Sequence, residues 1–395
     1  MGTTTDPAPG ARVALLRKAR GLSQTALARK AHVSLSLLSK VEVGDRPLTP
    51  AAATALGGAL GLSMAEVQGR ASVAADDELL LSELRSAMRD FDMPVHEDVS
   101  EGRVAAGLEM ADRHRDQVDV AALMTMLPAL LRDATAHAHA ENSPTSWSAL
   151  ADVYSTVYWL AARHRWMDLA ELAVTRQRWA VEQQPNPVGV AFAARDRAGT
   201  YLNFGDVDHG LDVVDRAIAA VQSAPVSTVD RDLAMGVLNL RGMTLAGRLP
   251  DKREAAREAE RHIKSAWRAA ASFSSDIEAH GLTFGSQNTF THVLATRVDL
   301  GRPRAALTLT DDLDAALAGL PPTRVAPTRI NYARAQLDVG DRDGALENLV
   351  AAFDVAPQMA RIHPMGREVL RVLSSLHRRS NPALLRLSKL SGVPL

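Results

Sequence analysis

The stretch GLSQTALARKAHVSLSLLSKVEVGDRP, Gly21 to Pro47, places two short helical periods on either side of a tight turn. Gly21 reads as a helix stop. Ser23 is positioned to cap a helix from Gln24 to Ala31 that turns Leu27, Ala28 and Ala31 inward. His32-Val33 makes the turn. Ser34 then caps a helix from Leu35 to Val43, and Gly44, Asp45 and Pro47 end it. Burying Leu38 and Val41 leaves Leu35, Ser36, Ser39 and Lys40 on the outer face and N-terminal half of that helix. Two short helices, a brief turn and a small Ala28 at their crossing describe a helix-turn-helix, whose second helix offers side chains to a DNA major groove.

Upstream, ARVALLRKAR (11–20) gives a first helix with Val13 and Leu16 at helical spacing. Downstream, Thr49-Pro50 opens a fourth helix through Leu60, with proline at its first position, and Gly61-Leu62-Ser63 starts a short fifth to about Gln68. Residues 11–67 thereby resemble the Xre/Cro–lambda-repressor family. They carry its GLSQ-x-x-LA opening, its VS before the third helix, and its E-x-G-x-R close at Glu42, Gly44 and Arg46. The resemblance implies phosphate contacts from Gln24 and Arg46. It implies base-edge or nearby backbone contacts from Leu35, Ser36 and Lys40, with Ser34 and Ser39 in the same DNA-facing set. It also implies a structural pair, Arg17 with Glu42, tying the first helix to the third. His32 departs from the family by standing at a turn position that usually holds glycine and often has positive φ. Leu35 stands where Gln or Arg is common; it can touch a thymine methyl but cannot make bidentate bonds to a base. One such module binds weakly and with strong salt dependence, and specific binding needs two about 34 Å apart on a two-fold axis. A homodimer on double-stranded operator DNA is expected.

Charge agrees with this placement. The 395 residues carry a net charge of −1, yet residues 1–70 hold nine Lys/Arg against four acids, so a basic head precedes an acidic remainder. Aromatic residues are only 4% and hydrophobic residues 46%, so the core must be mostly Ala, Leu and Val, which favours helix. The absence of cysteine excludes disulfides, thiolate metal sites and cysteine nucleophiles, and fits a cytoplasmic protein. No secretory signal, myristoylation signal or membrane span is expected.

The remaining chain reads as paired helices. A polar linker, 69–78, leads to a helix with Leu80, Leu84, Met88 and Phe91 on one face. A turn element then recurs at Gly205, Gly247, Gly301 and Gly340, with a glycine-less copy at Arg165, giving gaps of 40, 42, 54 and 39 residues. Small residues after the turns (Gly210, Ala255, Ala306, Ala345) permit close helix approach. This is the logic of a tetratricopeptide-type solenoid with lengthened units, the longest gap holding an insertion around the charged helix 251–272 and its SSDIEAHG tail. The whole chain resembles the Rap–Npr–Plc–Prg group of quorum-sensing receptors. It also resembles actinobacterial regulators with an FG-x-x-N element, here Phe284, Gly285 and Asn288, ahead of an LG-x-x-x-x-AL turn, Leu300 to Leu307. The resemblance implies that a concave face binds a short peptide or small signalling molecule. The residues picked out for that face are Tyr158, Arg195, Asn239, Asn288, Asn331 and Arg334, because amides and guanidinium groups can hold a peptide backbone or a carboxylate.

No HExxH, GxSxG, P-loop or GxGxxG occurs, and His137 and His139 fall on different sides of a helix. No cofactor, metal or catalysis is expected. The expected architecture is all-α: a disordered start (1–10), a five-helix lambda-repressor-like domain (11–68), the linker (69–78), a tetratricopeptide-like solenoid for dimerisation and ligand sensing (79–380), and a C-terminal tail (381–395). The expected function is transcriptional regulation. A protein-interaction scaffold placed on DNA is the alternative.

Overall fold

The computed structural model describes residues 8–62, 64–68, 75–94, 98–376 and 381–393. Five helices form the head: α1 (Pro9–Ala19), α2 (Gln24–Lys30), α3 (Leu35–Val43), α4 (Pro50–Leu60) and α5 (Met64–Gln68). The caps anticipated from sequence are in place. The hydroxyls of Ser23, Ser34 and Thr49 accept from the amides of Ala26, Leu37 and Ala52, each at 3.1 Å, which supplies partners that a first helical turn lacks. Gly44 and Gly61 close α3 and α4 in the left-handed conformation, and His32 takes it in the turn, with φ of 53°. Val13, Leu27, Leu38, Val41, Leu48 and Leu56 make the head's core.

The head begins earlier than expected. Residues 1–7 lie outside the described residues, but Pro9 and Gly10, assigned from sequence to a disordered start, are buried in the first turn of α1. A Cβ on Gly10 would stand 1.9 Å from the Val41 carbonyl oxygen, so the lack of a side chain lets α1 lie against the end of α3.

The body runs through α6 (Ala75–Arg89), α7 (Glu101–Asp116), α8 (Val120–Glu141), α9 (Pro144–His164), α10 (Met167–Val181), α11 (Pro187–Phe204), α12 (Val207–Ser223), α13 (Thr228–Ala246) and α14 (Lys252–Ala270). A hairpin of β1 (Ile277–Ala279) and β2 (Leu282–Phe284) follows. The chain continues with α15 (Ser286–Asp299), α16 (Pro303–Leu307), α17 (Leu313–Leu317), α18 (Pro322–Val339) and α19 (Arg342–Val355). It ends with α20 (Pro357–Ile362), α21 (Pro364–Leu376) and α22 (Pro382–Ser391). Successive helices pack as pairs, α7 with α8, α9 with α10, α11 with α12, α13 with α14, and α18 with α19. The recurrent turns explain the pairing. Gly205, Gly301 and Gly340 have positive φ, and the glycine-less copy, Arg165, adopts the same conformation with φ of 59°. Gly247 differs, remaining right-handed. The small residues behind the turns are buried, and a Cβ on Gly210 would approach Leu245 Cδ2 to 2.7 Å.

Three expectations are corrected. Of the linker 69–78, residues 69–74 lie outside the described residues, while 75–78 already belong to α6. The C-terminal tail is instead α22, which Asn381 caps and which buries Leu384 and Leu387 in the main core. The insertion after α14 is a β-hairpin, in which Ile277 pairs with Phe284. Its strands are too short to show alternation in sequence, but His280 and Gly281 supply the two consecutive positive φ values that a type I′ turn needs. Phe284 is fully buried against Gly236, and His280 at the hairpin tip reaches across to Asp152 on α9, Nδ1 to Oδ1 3.0 Å.

The stack of pairs also closes on itself. The Val120 amide donates to Gln358 Oε1 at 3.1 Å, α7 touches α18, and the buried side chains of α6–α10 and α18–α22 form one continuous apolar cluster.

Candidate functional site

The outer face of α3 is open to solvent. Leu35 is 46% exposed, Ser36 and Lys40 are exposed, and Ser39 is half-buried. Ser34 is exposed, with its hydroxyl already holding the Leu37 amide. Arg46 is exposed just beyond the helix, and Arg29 and Lys30 add exposed positive charge on α2. Leu38 and Val41 are buried, so the inward assignment that turns the DNA-facing set outward holds in the structure.

Behind this face lies an ion pair. Arg17 Nε and Nη2 donate to Glu42 Oε1 and Oε2 at 2.7 and 2.9 Å, and Arg17 Nη1 donates to the Leu22 carbonyl at 2.8 Å. Gln24 Nε2 donates to Glu42 Oε2 at 2.8 Å. The Arg17–Glu42 pair implied by the family resemblance is present; the amide nitrogen of Gln24, an expected phosphate contact, is engaged within the network. Burial pushes the Glu42 carboxyl up, but the hydrogen bonds from Arg17 and Gln24 and the charges of Arg17 and Lys18 outweigh it, so its pKa lies below the usual value.

The head also roofs a cavity. Thr54 lies against Gly205, and Met64 Sδ is 3.8 Å from Arg248 Nη1. Pro50, Met64 and Gln68 of the head, with α9, α11, α13, α15, α18 and the α20–α21 turn of the body, line a partly open cavity of about 370 Å³. That is the size of a small-molecule site. Among the described residues six arginines line it (Arg163, Arg165, Arg241, Arg248, Arg324 and Arg334) against one carboxylate, Asp299. Asp299 is shared: Arg334 Nη2 donates to it at 2.8 Å and Arg248 Nε stands 3.6 Å away. Burial, reinforced by Arg195 and Arg115, lowers Arg324 to about 10. Arg163 is lowered well below its usual value by burial and by Arg115 and Arg324. Burial and Arg163 hold His363 at about 3, and burial and Arg324 hold His292 well below its ordinary value. Both imidazoles are neutral near pH 7.

Of the six residues picked out for a ligand face, Asn331 and Arg334 line this cavity and hydrogen-bond each other at 2.7 Å. The other four do not border it. Asn239 and Asn288 are each 1% exposed. The Asn239 side chain donates to the Met235 carbonyl and bonds His262 Nδ1, and the Asn288 side chain donates to the Thr283 carbonyl, so both hold the fold together. Arg195 pairs with buried Asp196, and Tyr158 is buried with its hydroxyl over Gly199. Helical periodicity locates the inward side of each helix but cannot separate residues packed between helices from residues facing a cavity. Arg163, Arg248 and Arg324 were not singled out from sequence, because nothing in their spacing joins them. His137 and His139 contact the Val99 and Phe91 carbonyls, and among the described residues no group of His, Asp or Glu is arranged to hold a metal ion.

Fold and face together define a helix-turn-helix head seated on a mainly helical body that carries one β-hairpin. Residues 10–68 match the family profile described as "Helix-turn-helix domain". No curated protein matches the chain. Among solved structures, the chain is similar to Bacillus thuringiensis PlcR, crystallised with the peptide PapR7 and DNA. Identity is 9%, covering 91% of this chain and 99% of that one, with a TM-score of 0.28. It is similar also to PrgX in the PrgX/iCF10 complex, at 10% identity over 98% of each chain and a TM-score of 0.26. Among the described residues no helix is long and apolar enough to cross a membrane.

Proposed function

We propose that the protein is a sequence-specific DNA-binding transcriptional regulator that acts as a homodimer and whose helical body senses a ligand. The observation that carries this reading is the outward presentation of Leu35, Ser36 and Lys40 on a capped, internally braced α3. Lys40 and Arg46 supply phosphate contacts, and Ser36 and Leu35 reach the base edges, Leu35 by apolar contact with a thymine methyl. Two heads on a two-fold axis bring the affinity of a pair of half-sites. The cavity beneath the head supports ligand sensing: whatever fills it touches α4, α5 and the body at once, so its binding energy depends on how the head is seated.

Genomic DNA fragments selected by the protein supply the test. Ser36→Ala combined with Lys40→Ala is expected to weaken binding to the selected fragment and to reduce the slope of log affinity against log salt by about 1. Unchanged binding across several salt concentrations overturns the assignment of α3. Sedimentation showing a monomer both free and on DNA overturns the dimer.

A further inference from the structure

We propose that the cavity between head and body is a binding site for a compact phosphate-bearing small molecule, which would be the ligand of the sensing function above and rests on that reading. The charge inventory leads there. With Asp299 shared between Arg334 and Arg248, four lining arginines remain, and three of them, Arg163, Arg241 and Arg324, lie within α9, α13 and α18. Among the described residues none of these three has a carboxylate within 4.0 Å. What they have instead is neutral. Arg163 donates to the Trp159 carbonyl and lies over the Trp159 ring at 3.7 Å, and Arg241 donates to the Arg195 carbonyl at 3.1 Å. Among the described residues the Nε atoms of Arg163 and Arg324 are buried with no hydrogen-bond partner. Asp116 and Glu278 favour the charge of Arg324 from beyond ion-pair distance.

Buried guanidinium groups with open donors, repelling one another across a cavity, stabilise nothing by themselves. They are the arrangement a multiply charged anion needs. A phosphate presents several acceptor oxygens and close to two charges, and a planar guanidinium meets two of those oxygens at once. Asn331 and the neutral rings of His292 and His363 add further polar groups on the same walls. The cavity volume of about 370 Å³ lies in the range of small-molecule sites. Since Met64 and Gln68 of α5 form part of the roof, occupancy fixes the head's seat on the body.

The test uses the full-length protein without DNA, with inorganic pyrophosphate as probe and citrate as a carboxylate control, both at constant ionic strength. Calorimetry is expected to show one pyrophosphate per chain and weaker binding of citrate. Arg324→Gln and Arg163→Gln should each reduce pyrophosphate affinity at least tenfold. Arg216→Gln, on the exposed side of α12 and paired with Asp212, should leave it unchanged. Without probe, Arg324→Gln should melt at the same temperature as the parent protein or higher, because an unpaired buried charge has been removed. Binding of citrate equal to or tighter than pyrophosphate overturns the phosphate assignment. Unaltered affinity in both arginine variants, no saturable binding, or a large fall in the melting temperature of the Arg324→Gln variant overturns the site. The DNA reading is tested apart, since Ser36→Ala with Lys40→Ala should lose DNA while binding pyrophosphate normally.

Discussion

Replacing Arg17 by methionine removes the brace beneath α3 while keeping most of its aliphatic length. The side chains of Arg17 and Glu42 are 9% and 5% exposed, so the loss is not that of a surface pair. Three of Arg17's donors disappear, and Glu42 keeps only the bond from Gln24. Stranding one member of a buried pair costs about 3 kcal/mol, roughly a 150-fold change in a local opening equilibrium. All five tryptophans belong to the body, so intrinsic fluorescence does not follow the head. Amide hydrogen exchange read by mass spectrometry on peptides spanning α1–α3 does. The pH dependence sharpens the test. In the native head the Glu42 carboxyl is held below its usual pKa, so its contribution is present above the unfolded value and is lost as pH falls through the folded one. Without Arg17, burial dominates and raises that pKa. The folded variant then favours the protonated acid, and its disadvantage shrinks as pH falls from about 7.5 toward about 5. Protection factors that drop less than tenfold, or a deficit that widens toward acid, would refute the reasoning.

Two further outcomes follow from close contacts. Gly10→Ala should destabilise the head by about 1–3 kcal/mol, because the added methyl meets the Val41 backbone carbonyl and not a movable side chain; protection of α1 and α3 amides checks this. At the hairpin tip, burial pushes His280 down, but the hydrogen bond and charge of Asp152 outweigh it and raise its pKa. The resulting stabilisation is complete below the unfolded histidine value of about 6.5 and is lost as pH rises through the higher folded value. Asp152→Asn should therefore reduce melting temperature more at about pH 6 than at about pH 9, and a loss independent of pH would count against the pair.

The head was legible in the sequence because its determinants are local. Caps at Ser23, Ser34 and Thr49, stops at Gly44 and Gly61, and the inward set Leu27, Ala28, Leu38 and Val41 all act within a turn or two of the chain. The left-handed conformation of His32 agrees with the family resemblance, which puts a glycine-favoured position at that turn. The helix-pair rhythm of the body was legible for the same reason, down to the glycine-less turn at Arg165. The hairpin was not, since its strands lack a measurable period and its stability comes from Phe284 meeting Gly236, far away in sequence. Nor were the dual lives of the inward polar residues: Asn239 and Arg241 sit two apart on α13, yet one bonds His262 inside the fold and the other lines the cavity.

What the sequence determined alone is a helix-turn-helix with an outward α3 and a body of stacked helices, because hydrogen bonding and amphipathic period are set by neighbours in the chain. What only the tertiary structure decided is the closure of that body, through contacts such as Val120 with Gln358, and the seating of the head above six arginines. Arg163, Arg241 and Arg324 are separated by scores of residues and share a wall only once the helices have wrapped. Electrostatic repulsion depends on distance in space, which no spacing along the chain encodes.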